Sequence, residues 1–350
     1  MKIFYVKPSD SSFIKVDEDI LRRNFGIITC KLNMRSVTGL FFSLLKMMIL
    51  LIINFFRYRI IYTRFADYYA ALLAIFARIT GKKLIIVIGG IDVNFLPEFK
   101  YGFFAKRLRG LCARFALNHA HLLMPNSPAL IYDENSYAAD TPVKSGIRYF
   151  TPETKSLIRL VPNGFNPDFW KSIEGTEKDP VVLGVAIIND LTTFRIKGTD
   201  LFFEIAEQLK KQRFIYIGMS SSFIREQSLS IPPNVEIVGN ISPHQLLNYY
   251  QKAKVFLILS LTEGMPNALC EAMLCQCIPV GSNVSMIPEI IGDSGLIIYK
   301  RDKKEIAEKV LEALNMSEQS GIKAREKVIT NYSFERREKI LVDLLKELYH

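Results

Sequence analysis

Residues 261–280 read LTEGMPNALCEAMLCQCIPV, and an apolar run, Val255-Phe256-Leu257-Ile258-Leu259, leads into them. Gly264 and Pro266 break the run, and the stretch from Ala268 to Cys275 then favours a helix, so the segment predicts strand, loop and helix in succession. In an open parallel sheet, ligands bind just outside the carboxyl ends of the strands, which is where this loop falls. Backbone N–H groups at the start of the helix suit a phosphate. Glu263 in the loop and Glu271 about two turns further on can accept hydrogen bonds from ligand hydroxyls. A ligand that carries both phosphate and several hydroxyls is a nucleotide sugar. Two solvated helix acids would look the same in isolation, and the residues around them decide between the readings.

Those residues are Glu263-Gly264-Met265-Pro266, Glu271-Ala272-Met273 and Ile278-Pro279-Val280, followed by Pro288-Glu289-Ile290 and Gly292-Asp293-Ser294-Gly295-Leu296. In this order they resemble the signature of the retaining glycosyltransferases of family four, the glycosyl transferases group 1. The resemblance runs through about the last half of the chain and is patchy before it. It implies an α/β protein of the GT-B fold, two Rossmann-like domains facing across a cleft, with the last helix returning to the first domain. It also implies that Glu263 contacts hydroxyls of a donor sugar and Glu271 those of the ribose. Gly264, Met265, Pro266, Asn267 and Ala268 would line the donor between them.

The chain of 350 residues is long enough for two domains with separate cores. Nearly half of it is apolar, which excludes a disordered chain. The five cysteines, Cys30, Cys112, Cys270, Cys275 and Cys277, form no pairing framework, and Cys270, Cys275 and Cys277, without zinc spacing, read as small core residues. The opening MKIFYV has no signal-peptide pattern, so a reducing cytosol is the expected compartment.

Charge is divided unevenly. Residues 1–160 hold 23 lysines and arginines against 11 acids, and the remainder is close to neutral. A basic first half suits an anionic surface or substrate, and no nucleic-acid-binding motif accompanies it, so nucleic acid is not an expected partner. Residues 40–56, LFFSLLKMMILLIINFF, lie between Lys31 and Arg35 on one side and Arg57 and Arg59 on the other. Three readings fit the segment: a core helix, an interfacial helix on lipid, or a membrane span, for which it is short. An anionic membrane surface is therefore an expected partner, with the chain peripheral at the inner face of the cell membrane.

Strands and helices alternate along the whole chain, which predicts parallel sheets covered by helices. Val161-Pro162-Asn163-Gly164 punctuates the chain, and the family carries Pro-Asn-Gly at its interdomain hinge. The expected division is an acceptor-binding domain at 1–162, a donor-binding domain at 163–332, and a helix at 333–350 packing back on the first.

Transfer of a sugar from a nucleoside diphosphate requires stabilising charge on the departing diphosphate. Phe194-Arg195-Ile196-Lys197-Gly198-Thr199 places two cations and a glycine before an expected helix, a plausible diphosphate clamp. It is similar to the family's Lys-Gly element, so Lys197 carries over and Arg195 stands in for an arginine absent after the preceding strand. By the same resemblance Gly239, Asn240 and Ile241 line the base through backbone groups. The family's His-Gly-x-Asp segment reads Gly89-Gly90-Ile91-Asp92 here, and Asp92 is a candidate catalytic residue or a helix cap. The usual glycine-rich loop after the first strand is Lys7-Pro8-Ser9-Asp10-Ser11-Ser12. No carboxylate pair with metal-site spacing accompanies the clamp, so no metal and no cofactor are expected.

The leading expectation is retaining, metal-independent transfer from a nucleoside-diphosphate sugar to a saccharide or polyprenyl-linked acceptor, in polysaccharide or glycolipid synthesis. A nucleotide-sugar epimerase on the same fold and a catalytically silent partner subunit are the alternatives.

Overall fold

The parallel strands of the first half are near-continuous apolar runs, such as Lys83–Ile88 (KLIIVI), as expected for strands covered on both faces. In the computed structural model they form one sheet. Residues 2–139, 141–173 and 175–349 are described, with the side chains of Ser12 and Phe13 outside that description. The elements in chain order are β1 (Lys2–Lys7), α1 (Ser12–Asn24), β2 (Gly26–Lys31), α2 (Val37–Ile53), β3 (Ile60–Arg64), α3 (Tyr68–Thr80) and β4 (Lys83–Ile88). Then come α4 (Arg107–His119), β5 (Leu122–Pro125), a two-stranded sheet of β6 (Asp133–Asn135) and β7 (Val143–Ser145), α5 (Ile147–Phe150) and β8 (Leu157–Ile158). The first sheet runs β2-β1-β3-β4-β5-β8, all parallel.

The second half holds β9 (Asp179–Ile188), α6 (Leu191–Ile196), α7 (Thr199–Gln208), β10 (Arg213–Met219), α8 (Ser221–Glu226), β11 (Val235–Val238) and α9 (Pro243–Lys252). It continues with β12 (Ala253–Ile258), α10 (Asn267–Leu274), β13 (Ile278–Ser282), α11 (Ile287–Ile291), β14 (Leu296–Ile298), α12 (Lys303–Asn315), α13 (Glu318–Tyr332) and α14 (Phe334–Tyr349). Its sheet is also parallel, in the order β11-β10-β9-β12-β13-β14. Two Rossmann-like α/β units result.

Contacts divide the chain into these two units, one holding residues 2–134, 144–164 and 335–349, the other Asn135–Val143 and Phe165–Phe334. Residues 135–143 thus cluster with the second unit, where the Asn135 side chain donates to the Leu261 carbonyl at 2.6 Å.

Helix α14 belongs to the first unit because of one buried group. Arg337 donates to Asp17 Oδ1 of α1 at 2.7 and 2.9 Å and to the Val161 and Pro162 carbonyls at 2.9 and 2.6 Å. Asp17 also accepts from Arg64 (3.2 Å) and Tyr62 (2.9 Å). The apolar stripe of α14 consequently centres on Leu341, Leu345 and Leu348.

Segment 40–56 resolves into α2 and a 3-10 turn at Phe55–Arg57. Ser36 caps its start, accepting from Gly39 N at 3.0 Å, and Asn54 closes it by donating to the Leu50 carbonyl at 2.9 Å. Met47 and Leu51 are fully buried in the first unit's core, each worth about 1.5–3 kcal/mol. The opposite face of α2 stays exposed. No described helix is long and apolar enough to cross a membrane.

Candidate active site

In the second unit, chain order reverses between β9 and β12, and a ligand crevice forms outside the carboxyl ends of the strands at such a reversal. Ligand-binding residues are therefore expected where β9 and β12 end.

After β9, Asp190 caps α6, accepting from Thr193 N at 2.7 Å and Thr193 Oγ1 at 2.8 Å. This makes 191–196 a short helix. Arg195 lies exposed in its last turn, and Lys197 is its C-cap. Gly198 follows with φ +66°, and a Cβ added there would stand 2.2 Å from the Leu259 carbonyl oxygen. Only glycine allows that approach. Leu261 N donates to the Ile196 carbonyl at 2.7 Å, so the end of α6 is tied to the exit of β12.

This tie brings Lys197 to Glu263. The ammonium donates to Glu263 Oε1 at 2.6 Å, and Ser260 Oγ donates to the same oxygen at 2.7 Å. The Lys197 side chain keeps 31% exposure while Glu263 keeps 12%. Two further serines hold the loop. Ser285 Oγ donates to the Glu263 carbonyl at 2.7 Å and accepts from Glu263 N at 3.1 Å, while Ser282 Oγ donates to the Ser260 carbonyl at 2.7 Å. Ser285 adopts φ +50°, a left-handed conformation uncommon for serine and the kind of local strain that concentrates at functional sites.

Gly264, Met265 and Pro266 are buried beneath the loop, and Asn267 and Ala268 open α10 half-buried. Pro266 occupies the N-cap of α10, so no side chain there satisfies the first N–H groups of the helix. Glu271, one turn into α10, is half-buried. Its carboxyl accepts a long hydrogen bond from the Tyr250 hydroxyl at 3.4 Å. Loss of hydration pushes it up to about 7, against the smaller downward pull of Tyr250.

Gly239, Asn240 and Ile241 leave β11, the edge strand, with open space beside Gly239. They sit two strands from β9 in the sheet order, about 10 Å at the usual strand spacing. The capping box of Ser242 and Gln245 starts α9 directly after them.

Asp92 belongs to the first unit and is fully buried. Its carboxylate accepts from Gly90 N at 2.9 Å and Gly89 N at 3.2 Å, so it holds the turn leaving β4. Burial raises its carboxyl to about 6, and the backbone N–H groups of Gly90, Ala66 and Gly89 hold it from going higher. In the loop after β1, Lys7 is held by Glu18 Oε2 at 2.6 Å and Asp10 Oδ1 at 2.8 Å.

The structure thus gathers Lys197 and Glu263, with the start of α10 following in the same loop, beyond the carboxyl ends of β9 and β12 in the second unit. Ser260, Ser282, Ser285 and Tyr250 were not legible beforehand. Serines are ordinary in loops, and Tyr250 lies on a helix whose apolar spacing reads as core. The one available signal was the polar pair Ser282 and Ser285 just after a strand.

Comparison with known proteins agrees with this geometry. Residues 183–316 match the family model described as glycosyl transferases group 1. Among curated relatives, the O-antigen chain mannosyltransferase B of Escherichia coli is 32% identical over 80 residues, 23% of this chain and 21% of its own. The alpha-galactosylglucosyldiacylglycerol synthase of Streptococcus pneumoniae is 24% identical over 208 residues, 53% of this chain and 51% of its own. The matched stretches thus span about half of those relatives or less. Among solved structures, sucrose-phosphate synthase from Thermosynechococcus elongatus superposes with a TM-score of 0.74 at 17% identity, covering 100% of this chain and 99% of the other. Anabaena HepE in complex with UDP-glucose superposes with a TM-score of 0.73 at 14% identity, covering 99% and 100%. Taken with the two parallel sheets and the reversal of chain order between β9 and β12, these matches show that the chain has the GT-B fold and that residues 183–316 of its second unit are similar to the glycosyl transferases group 1.

Proposed function

We propose that the protein transfers a sugar, with retention of configuration, from a nucleoside-diphosphate sugar to a saccharide or lipid-linked acceptor presented at an anionic membrane surface. The observation that carries this reading is the Lys197–Glu263 pair, held at the crevice by Gly198 against the Leu259 carbonyl. In the reading, donor hydroxyls replace Lys197 as the partner of Glu263. The freed ammonium then turns to the departing diphosphate, and Arg195 at the end of α6 is proposed as the second cation of the clamp. The first N–H groups of α10 add fixed positive potential there. Glu271 accepts from the ribose, and Gly239, Asn240 and Ile241 line the base.

Retention follows if the departing phosphate oxygen takes the acceptor's proton on the face it leaves, so that the protein mainly positions reactants and stabilises charge. Fixed cations and a helix terminus supply that charge in this reading, without metal or cofactor. Asp92 is proposed to shape the acceptor side of the first unit through its turn.

HepE was solved with UDP-glucose, which puts UDP-sugars first in a donor screen. The test measures binding and hydrolysis of nucleotide sugars, with lipid extract as acceptor and with chelator present. Release of free nucleoside diphosphate with sugar appearing on the acceptor supports transfer. A sugar nucleotide returned intact but epimerised, or turnover that chelator abolishes and magnesium restores, would overturn the reading.

A further inference from the structure

The outward face of α2 is unlike the rest of the surface. At 100° per residue, Val37, Phe41, Leu45, Ile49, Ile52 and Ile53 fall within an arc of about 160°, and all six are exposed, Val37 by 85%. The buried residues Ser43, Met47 and Leu51 lie on the opposite side. The helix is apolar all round, so burial in the core accounts for only one of its faces. The patch continues past its end. Phe56 is 97% exposed, and Phe55 packs against Phe76 of α3 with ring centroids 6.5 Å apart, which places α3 alongside with Ile75 and Ile79 exposed.

Charge decides what covers this patch. Between residues 20 and 91 the chain carries eleven lysines and arginines and one acid, Asp67, which is buried and paired with Arg109. Lys46 stands at the edge of the apolar arc, and Arg57, Arg59 and Arg78 are exposed around it. A second copy docking by the same face would set these cations against their counterparts. An anionic bilayer would instead accept the apolar arc among its acyl chains and the cations among its headgroups. The helix, of 17 residues, is too short to span and is held on its inner side by the core.

The geometry points to α2 as an interfacial helix that docks the first unit on an anionic lipid surface. The exposed apolar arc of α2 and Phe56 enter the acyl boundary, and Lys46, Arg57 and Arg78 contact headgroups. This deepens the acceptor side of the function proposed above and rests on that reading for its purpose.

The test floats the full chain with vesicles of phosphatidylglycerol and phosphatidylcholine and repeats the measurement as salt rises. The wild type should bind at low salt and retain a salt-resistant part. Ile49→Ser with Ile52→Ser should melt like the wild type and partition about a hundredfold more weakly. Lys46→Gln with Arg78→Gln keeps the proposal testable if the first pair fails to fold; it should weaken binding and flatten the salt dependence. A wild type that ignores anionic vesicles at low salt, a serine variant that binds undiminished, or a face that only mediates concentration-dependent self-association would overturn the proposal. Donor hydrolysis on the same samples separates the two readings. Vesicle binding without hydrolysis would sink the transfer reading and leave this one, and hydrolysis without vesicle binding would sink this one and leave sugar transfer to an acceptor away from the membrane.

Discussion

Lys197 meets Glu263 in a short ion pair whose cation keeps enough exposure to turn toward a ligand. Lys197→Ala should leave the fold intact and lower turnover by about a hundredfold, as for loss of a transition-state donor; steady-state rates beside a thermal melt check it, and full activity would remove the clamp. Glu271 makes a pH prediction. Its carboxyl is raised by burial from 4.5 to about 7, so it favours the folded state while protonated. That contribution is complete below the ordinary value and is lost as pH rises through about 7. Donor affinity runs the other way, because only the carboxylate offers acceptors alone to the ribose hydroxyls. Binding should tighten as pH climbs through about 7, and Glu271→Gln should flatten the profile in a calorimetric titration. Asp92 offers a contrast. Asp92→Ala strands the N–H groups of Gly89 and Gly90 and should cost about 1–3 kcal/mol, whereas Asp92→Asn keeps an acceptor and should melt near the wild type. Loss of turnover in a stable Asp92→Asn variant would assign the carboxylate to chemistry instead of to its turn.

Among the elements, the junction of α6, α7 and β12 carries the site. Gly198 occupies a left-handed conformation with the Leu259 carbonyl where a side chain would go. Gly198→Ala should therefore destabilise the chain by about 1–3 kcal/mol. It should also lower turnover, because Lys197 moves with the turn. Urea unfolding beside rate measurements checks both, and a variant with wild-type stability would show that the turn relaxes freely. Sequence spacing placed the α10 loop well, since Gly264 and Pro266 break a strand in a way local chemistry alone explains. It did not reveal α6, whose helix depends on the Asp190 cap, or the serine braces, which join residues more than twenty positions apart. Helix α2 shows the same limit: its composition left core, interfacial and spanning readings open, and only packing distinguished the face holding Met47 and Leu51 from the face left outside.

At the scale of the molecule, the first unit is completed from the far end of the chain. Burial works against the charge of Asp17, but Arg337 and Arg64 beside it, with the Tyr62 hydroxyl, hold its carboxyl below the ordinary value. A depressed carboxyl contributes stability above its unfolded value and loses it as pH falls through the folded one, so acid should loosen this unit by protonating Asp17. Asp17→Ala leaves two buried arginines without their shared partner and should cost about 3–5 kcal/mol; chemical denaturation followed by intrinsic fluorescence checks it, and a neutral substitution would mean that water replaces the carboxylate.

What the sequence determined alone is local or repetitive. The alternation of strands and helices specified two parallel-sheet units, because strand and helix periods are properties of neighbouring residues. The spacing of Glu263, Pro266 and Glu271 marked the crevice for the same reason. Tertiary structure alone decided that Arg337 lies buried on Asp17, that Asp92 turns its carboxylate into its own loop, and that residues 135–143 cluster with the second unit. Each depends on a polar group finding its partner across a fold. Burial makes an unmatched charge costly, but it does not write the partner's position into the neighbouring sequence.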